Sequence, residues 1–212
     1  MIRLVLLSEW KESLPGDLEH RIMNLVGKDK PKLGYIPSQT DPEGTYFYPA
    51  KQQLEQAGFV DYLYFDVDQA FEKKLLGNLG NCDAIFLSGG NTFYFLNRLR
   101  ERNMLSWLRE YAEKGGVLIG VSAGAMILTE SILAAEYVDA KYLAGSYLHP
   151  TEYGGIALAD FHFYPHWKGD FRQLEAVKDL TGMGSKVYAC PDRSGIVIEG
   201  NKREYFGHVI EF

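Results

Sequence analysis

Gly120-Val121-Ser122-Ala123-Gly124 carries the G-x-S-x-G spacing of a nucleophile elbow. In such a turn a strand passes straight into a helix, the serine takes a strained backbone conformation, and only small neighbours fit around it. In a chain with 22 Gly the pattern alone is unspecific. Its place directly after the apolar run VLIGV and before a helical stretch favours a nucleophile over a plain structural turn. Ser88-Gly89-Gly90-Asn91-Thr92 ends another apolar run, AIFLS, and opens a helix. Read alone, it is a glycine turn with Asn91 or Thr92 as helix cap. Beside Ser122 it offers bare backbone N–H groups, and an oxyanion hole made by Gly90 and Ala123 follows.

A serine hydroxyl needs a base to take its proton, and five histidines are available. His20 falls in the first helical stretch, His208 near the C-terminus and His149 in an irregular segment, which leaves His162 and His166. In the extended segment FHFYPHW, four residues at about 3.3 Å each put these two ~13 Å apart, too far to share a metal. His166 ends the strand and is the expected base, with His162 as a packing residue. A third residue must hold the imidazole and stabilise its protonated form. Asp192, in the polar turn Pro191-Asp192-Arg193-Ser194-Gly195, competes for that role with Glu136 and Asp139.

The elements around these residues alternate. Residues 2–7, 32–37, 59–65, 84–88 and 116–121 read as strands, and 17–26, 46–57, 71–79, 93–102 and 105–114 as helices. This order predicts an α/β fold, a parallel central sheet with helices on both faces, with AIFLS and VLIGV at its centre. A short helix from Ala123 should follow, then an irregular stretch with small strands over 136–160 that gathers Gly145, Pro150, Gly154 and Gly155. Further on, 161–165, 187–189, 195–198 and 204–206 read as short strands and 171–180 as a helix.

The 212 residues read as one domain. A formal net charge of −6 without a Lys/Arg cluster argues against nucleic acid as a partner. No apolar run is long enough for a membrane span or a signal h-region, so a cytoplasmic protein is expected. Cys82 and Cys190 lack CxxC spacing and read as buried thiols.

Taken together, SGGNTF at 88–93, GVSAGA at 120–125, YPHW at 164–167 and PDRSG at 191–195 resemble the peptidase E (aspartyl dipeptidase) family of serine peptidases, along with the LLS that ends the first strand. That family's fold is similar to class I glutamine amidotransferases, with a flavodoxin-like core. The resemblance implies Ser122 as nucleophile, His166 as general base and then acid, and Asp192 where the family carries Glu or Asp to orient the histidine. It implies catalysis without metal or organic cofactor, on a small peptide substrate, with a homodimer as one assembly to test. Aspartyl dipeptidases recognise an N-terminal Asp through basic residues on a loop just after the catalytic histidine. Lys168 and Arg172 are the corresponding basic residues, with Asn91 a further substrate contact. The interval after His166 is shortened against that pattern and leaves almost no loop, so Arg172 is equally read as a surface residue opening the next helix. The expected activity is serine exopeptidase, including dipeptides with N-terminal Asp. A cyanophycinase-like hydrolase of β-aspartyl bonds and a non-catalytic small-molecule binder are the alternatives.

Overall fold

The computed structural model describes residues 1–143 and 148–212. Its main sheet has seven strands. Five are parallel: β1 (Arg3–Leu7), β2 (Lys32–Ile36), β3 (Asp61–Tyr64), β4 (Ala84–Leu87) and β5 (Val117–Val121). The order is β3-β2-β4-β5-β1, so the two most apolar strands, β4 and β5, are central as expected. A hairpin, β8 (Gly195–Glu199) and β9 (Lys202–Phe206), extends the sheet beyond β1, with β8 antiparallel to β1.

Alternate residues of each strand fill separate cores, as the period-two geometry of strands requires. Val5 and Leu7 face α1 (Gly16–Val26) and α2 (Phe47–Ala57), packing with Leu18, Ile22 and Leu54. Leu4 and Leu6 face the other side, covered by α3 (Lys73–Gly80), α4 (Thr92–Glu101), α5 (Met104–Glu113) and α6 (Ala123–Leu128). Both faces of the central strands β4 and β5 are therefore dry, which explains their unbroken apolar runs, whereas the edge strand β3 is half-buried with Asp61 exposed.

Further along, the strands expected at 161–165, 187–189, 195–198 and 204–206 and the helix at 171–180 are present, but they do not all join the main sheet. A second sheet, in the order β10-β7-β6, comprises β6 (His162–Tyr164), β7 (Val187–Ala189) and β10 (Ile210–Glu211), and packs with α9 (Phe171–Gly182). β6 thus stands outside the main sheet. Over 136–160 the expected small strands are replaced by α7 (Ala135–Val138), α8 (Ala140–Leu143) and a 3-10 turn at Pro150–Glu152, with β-bridges only at Thr129–Ala159 and Ser131–Gly154 among the described residues. Residues 144–147 of that stretch, Gly145 among them, lie outside the described residues. No helix among the described residues is long and apolar enough to cross a membrane.

Candidate active site

Three neighbouring strands, β1, β4 and β5, each run off their carboxyl ends into a serine: Ser8, Ser88 and Ser122. Leu7 pairs with Val121, and the Ser122 N–H donates to the Leu7 carbonyl at 2.8 Å, so Ser8 and Ser122 leave the sheet side by side. Ser122 has φ 50° and ψ −105°, a left-handed conformation that few non-glycine residues adopt. The flanking glycines permit it sterically. A Cβ on Gly120 would meet the Gly124 main chain at 2.6 Å, and a Cβ on Gly124 would meet the Leu87 carbonyl at 2.3 Å. The Gly124 N–H donates to the Ser88 carbonyl at 3.2 Å, tying the elbow to the turn after β4.

That turn brings Gly89 and Gly90 to the serine. A Cβ on Gly89 would stand 3.6 Å from the Ser122 Cβ. Gly90, at φ 144°, has no room for one, since it would meet the Ser38 hydroxyl at 2.0 Å. The N–H groups of Gly90 and Ala123 have no protein acceptor among the described residues. Asn91 caps α4, its Oδ1 accepting from the Tyr94 N–H at 3.1 Å, and also lines the cleft.

The second sheet supplies the base and its partner. β6 and β7 run parallel, with Tyr164 opposite Ala189, so the segments leaving their carboxyl ends travel together. The Cys190 N–H donates to the Tyr164 carbonyl and the Trp167 N–H to the Cys190 carbonyl. His166 and Asp192 are thereby held face to face: Nδ1 lies 2.6 Å from the Asp192 Oδ1, and Nε2 lies 2.9 Å from the Ser122 Oγ. A carboxylate at Nδ1 requires the proton there, which leaves Nε2 to accept from the serine hydroxyl. β8 completes the placement: antiparallel to β1, it begins at Gly195 opposite Leu7, and so returns the 191–195 turn to the edge where Ser122 stands.

The competing acids are elsewhere engaged. Asp139 is buried, and its Oδ2 accepts from the Thr92 hydroxyl and from the Thr92 N–H at 3.2 Å. Burial raises its pKa, against the lowering influence of Thr92 and of His166. Glu136 is absent from the cleft lining, and its carboxylate faces Tyr153. His162, 4% exposed, sits within β6, with Nε2 3.7 Å from Glu130. Burial lowers its pKa, in keeping with a packing role. Burial also pushes the Cys82 thiol up to about 11 and Cys190 up to about 12, so neither is a thiolate near neutral pH.

These residues open into a cleft of about 440 Å³ at the carboxyl ends of β1, β2, β4 and β5, where ligands bind in open α/β sheets. Trp10, Tyr35, Phe86 and Val121 form an apolar wall, while Ser38, Gln39, Asn91 and Asp139 are among its polar groups. A larger cavity of about 570 Å³, bordered by Glu130, Asp160 and Arg203, includes no member of the Ser122 site.

The structure does not bring Arg172 and Lys168, the expected substrate cations, into the cleft. Both are exposed, and neither lines the cleft. The short link after His166 is pinned by Gln173, whose Oε1 accepts from the N–H groups of Lys168 and Gly169 and whose Nε2 donates to the His166 carbonyl. No loop is left to swing a cation inward. The cations that do line the cleft are Lys11 and Lys141, neither anticipated from the sequence. Lys11 is already paired with Glu9. Glu9, His166 and Asp192 place ligand atoms within 4.8 Å of one another, but a cation there would compete with Ser122 or Asp192 for a nitrogen of His166.

The sequence profile of Peptidase family S51 matches residues 4–205. An uncharacterized peptidase of Listeria monocytogenes is 29% identical over 209 residues, covering 95% of this chain and 97% of that protein. A Drosophila melanogaster protein named "Probable alpha-aspartyl dipeptidase" is 27% identical, covering 96% of this chain and 86% of its own. Among solved structures, a candidate peptidase E protein from Listeria monocytogenes EGD-e aligns with a TM-score of 0.78 at 23% identity, covering 97% of this chain and 98% of that one.

Proposed function

Given that the chain belongs to peptidase family S51, we propose that it is a serine exopeptidase releasing the N-terminal residue of short peptides through a Ser122–His166–Asp192 triad. The observation that carries this reading is the unbroken hydrogen-bonded chain from Ser122 Oγ through both nitrogens of His166 to Asp192. Ser122 passes its proton to His166 Nε2 and attacks the scissile carbonyl. The oxyanion that develops is met by the N–H groups of Gly90 and Ala123. His166, now protonated and stabilised by Asp192, gives the proton to the leaving amine, and the acyl-enzyme remains. Water activated by the same histidine then releases the acid and restores Ser122.

Selection of a free N-terminus falls to Asp139. It is a buried carboxylate at the cleft with one oxygen held by Thr92, and a substrate ammonium there would offset the cost of its ionisation. An N-terminal Asp side chain would meet Lys141, the cleft cation not paired with Glu9. The cleft volume suits a small ligand, such sites spanning roughly 300–1,000 Å³.

The test is turnover of α-Asp-Leu, Ala-Leu and β-Asp-Leu by the wild type and by the Lys141→Met and Arg172→Met variants, followed by mass spectrometry. The α-Asp peptide should be cleaved fastest. Lys141→Met should reduce the preference for Asp over Ala by about fivefold, the scale of an exposed point charge. Arg172→Met should leave it unchanged. Equal cleavage of Ala-Leu and α-Asp-Leu would remove the aspartyl preference, and exclusive cleavage of β-Asp-Leu would replace the α-peptidase reading with the β-aspartyl one.

A further inference from the structure

Ser8 is fully buried just past the end of β1. A buried polar group must find partners, and this one finds both in the triad. Its Oγ accepts from the His166 N–H at 2.8 Å and donates to the Asp192 Oδ1 at 3.3 Å, the oxygen that also accepts from His166 Nδ1. Its N–H donates to the Ser194 carbonyl at 3.1 Å, in the turn that carries Asp192. One residue therefore ties two loops, separated from it by 158 and 184 positions, to the strand beside the nucleophile.

Both loops need such a tie. His166 and Arg193, the latter next to Asp192, have φ of 56° and 62°, left-handed conformations that the chain does not hold unaided. The His166 and Asp192 side chains are also 35% and 44% exposed, so water competes for the hydrogen bond between them. Tight packing cannot fix a pair that open to solvent. A hydroxyl bonded to the main chain of one and the carboxylate of the other can.

We propose that Ser8 is a positioning residue whose hydroxyl sets the His166 main chain and the Asp192 carboxylate in the geometry that orients the imidazole toward Ser122. This deepens the Ser122–His166–Asp192 reading and rests on it for its catalytic consequence. With Ala at position 8, the His166 N–H loses its acceptor and the Asp192 carboxylate loses a donor, with little change in volume.

The experiment is Ser8→Ala in the full chain, with thermal denaturation to verify that the variant is folded. kcat on the best peptide should fall by about 10- to 100-fold, the cost of slight misplacement of catalytic groups, with KM nearly unchanged. The far-downfield proton resonance of His166 Nδ1, assigned by its loss in His166→Gln, should weaken or move in Ser8→Ala, because the Asp192 hydrogen bond becomes open to exchange. An undisturbed resonance in a folded Ser8→Ala overturns the proposal, as does undiminished kcat despite a disturbed resonance or a wild type without the resonance. The resonance requires no turnover. A wild type inactive on every peptide would therefore defeat the peptidase reading, while the spectrum still judged the role of Ser8.

Discussion

In the proposed mechanism two carboxylates divide the work according to their surroundings, Asp192 from behind His166 and Asp139 from the cleft wall. Asp192 is partly exposed and bonded to the imidazole, whereas Asp139 is buried and bonded to Thr92. Replacing Asp192 by Asn keeps the shape but favours the wrong histidine tautomer, so kcat should fall by up to ~10⁴-fold. Asp139→Asn should act chiefly through KM, because it removes the charge offered to the substrate ammonium and leaves His166 in place. Steady-state kinetics of both variants on α-Asp-Leu separates the roles, and the opposite pattern would reassign them. Ser122 was legible from its own neighbours, because a glycine-flanked serine between an apolar strand and a helix has a steric meaning. Asp192 was not: PDRSG reads locally as any polar turn, and its approach to His166 comes from the antiparallel return of β8, a long-range pairing without a local signal. Ser8 could have been noticed as the third of three strand-ending serines, but that pattern acquires meaning only once β1, β4 and β5 are adjacent.

At the scale of elements, the five parallel strands and their helices were readable because the inner strands β4 and β5 are apolar on both faces and each helix has a stripe. Of the second sheet, strands β6 and β7 were readable but their pairing into a sheet of their own was not. β10 has two residues, too short to show a period, and was missed altogether. The small sheet nonetheless does essential positioning, since its parallel β6 and β7 deliver His166 and Asp192 together. It also contains a pH-sensitive point. His162 is enclosed in β6, and burial holds its folded-state pKa below the ordinary 6.5. A depressed folded-state pKa means stability that is fully present above the unfolded value and lost as pH falls through the folded one. Urea denaturation between pH 7.5 and 5 should therefore show stability falling below about pH 6.5 as the chain unfolds to let His162 charge. His162→Gln should flatten this part of the curve and leave peptide turnover at pH 7.5 close to wild type. A wild-type slope retained in His162→Gln would place the titrating group elsewhere.

Over the whole molecule, the parallel sheet brings Ser8, Gly90 and Ser122 to one edge, and the antiparallel hairpin and the small sheet return His166 and Asp192 to it. The short link after His166, expected from the shortened interval there, is pinned by Gln173. In the proposed function selectivity depends on Lys141 and Asp139, whose place in the cleft wall sequence spacing could not reveal because both come from the irregular region after α6. The proposed chemistry rests first on Ser122 as the nucleophile. The most direct measurement is turnover of the best dipeptide substrate by Ser122→Ala, a change that costs the elbow little volume. Activity should fall by about 10³-fold or more with thermal stability near that of the wild type, as expected when one member of a triad is removed. A folded Ser122→Ala variant that kept more than about a tenth of wild-type turnover, against that expectation, would show that another group attacks the peptide.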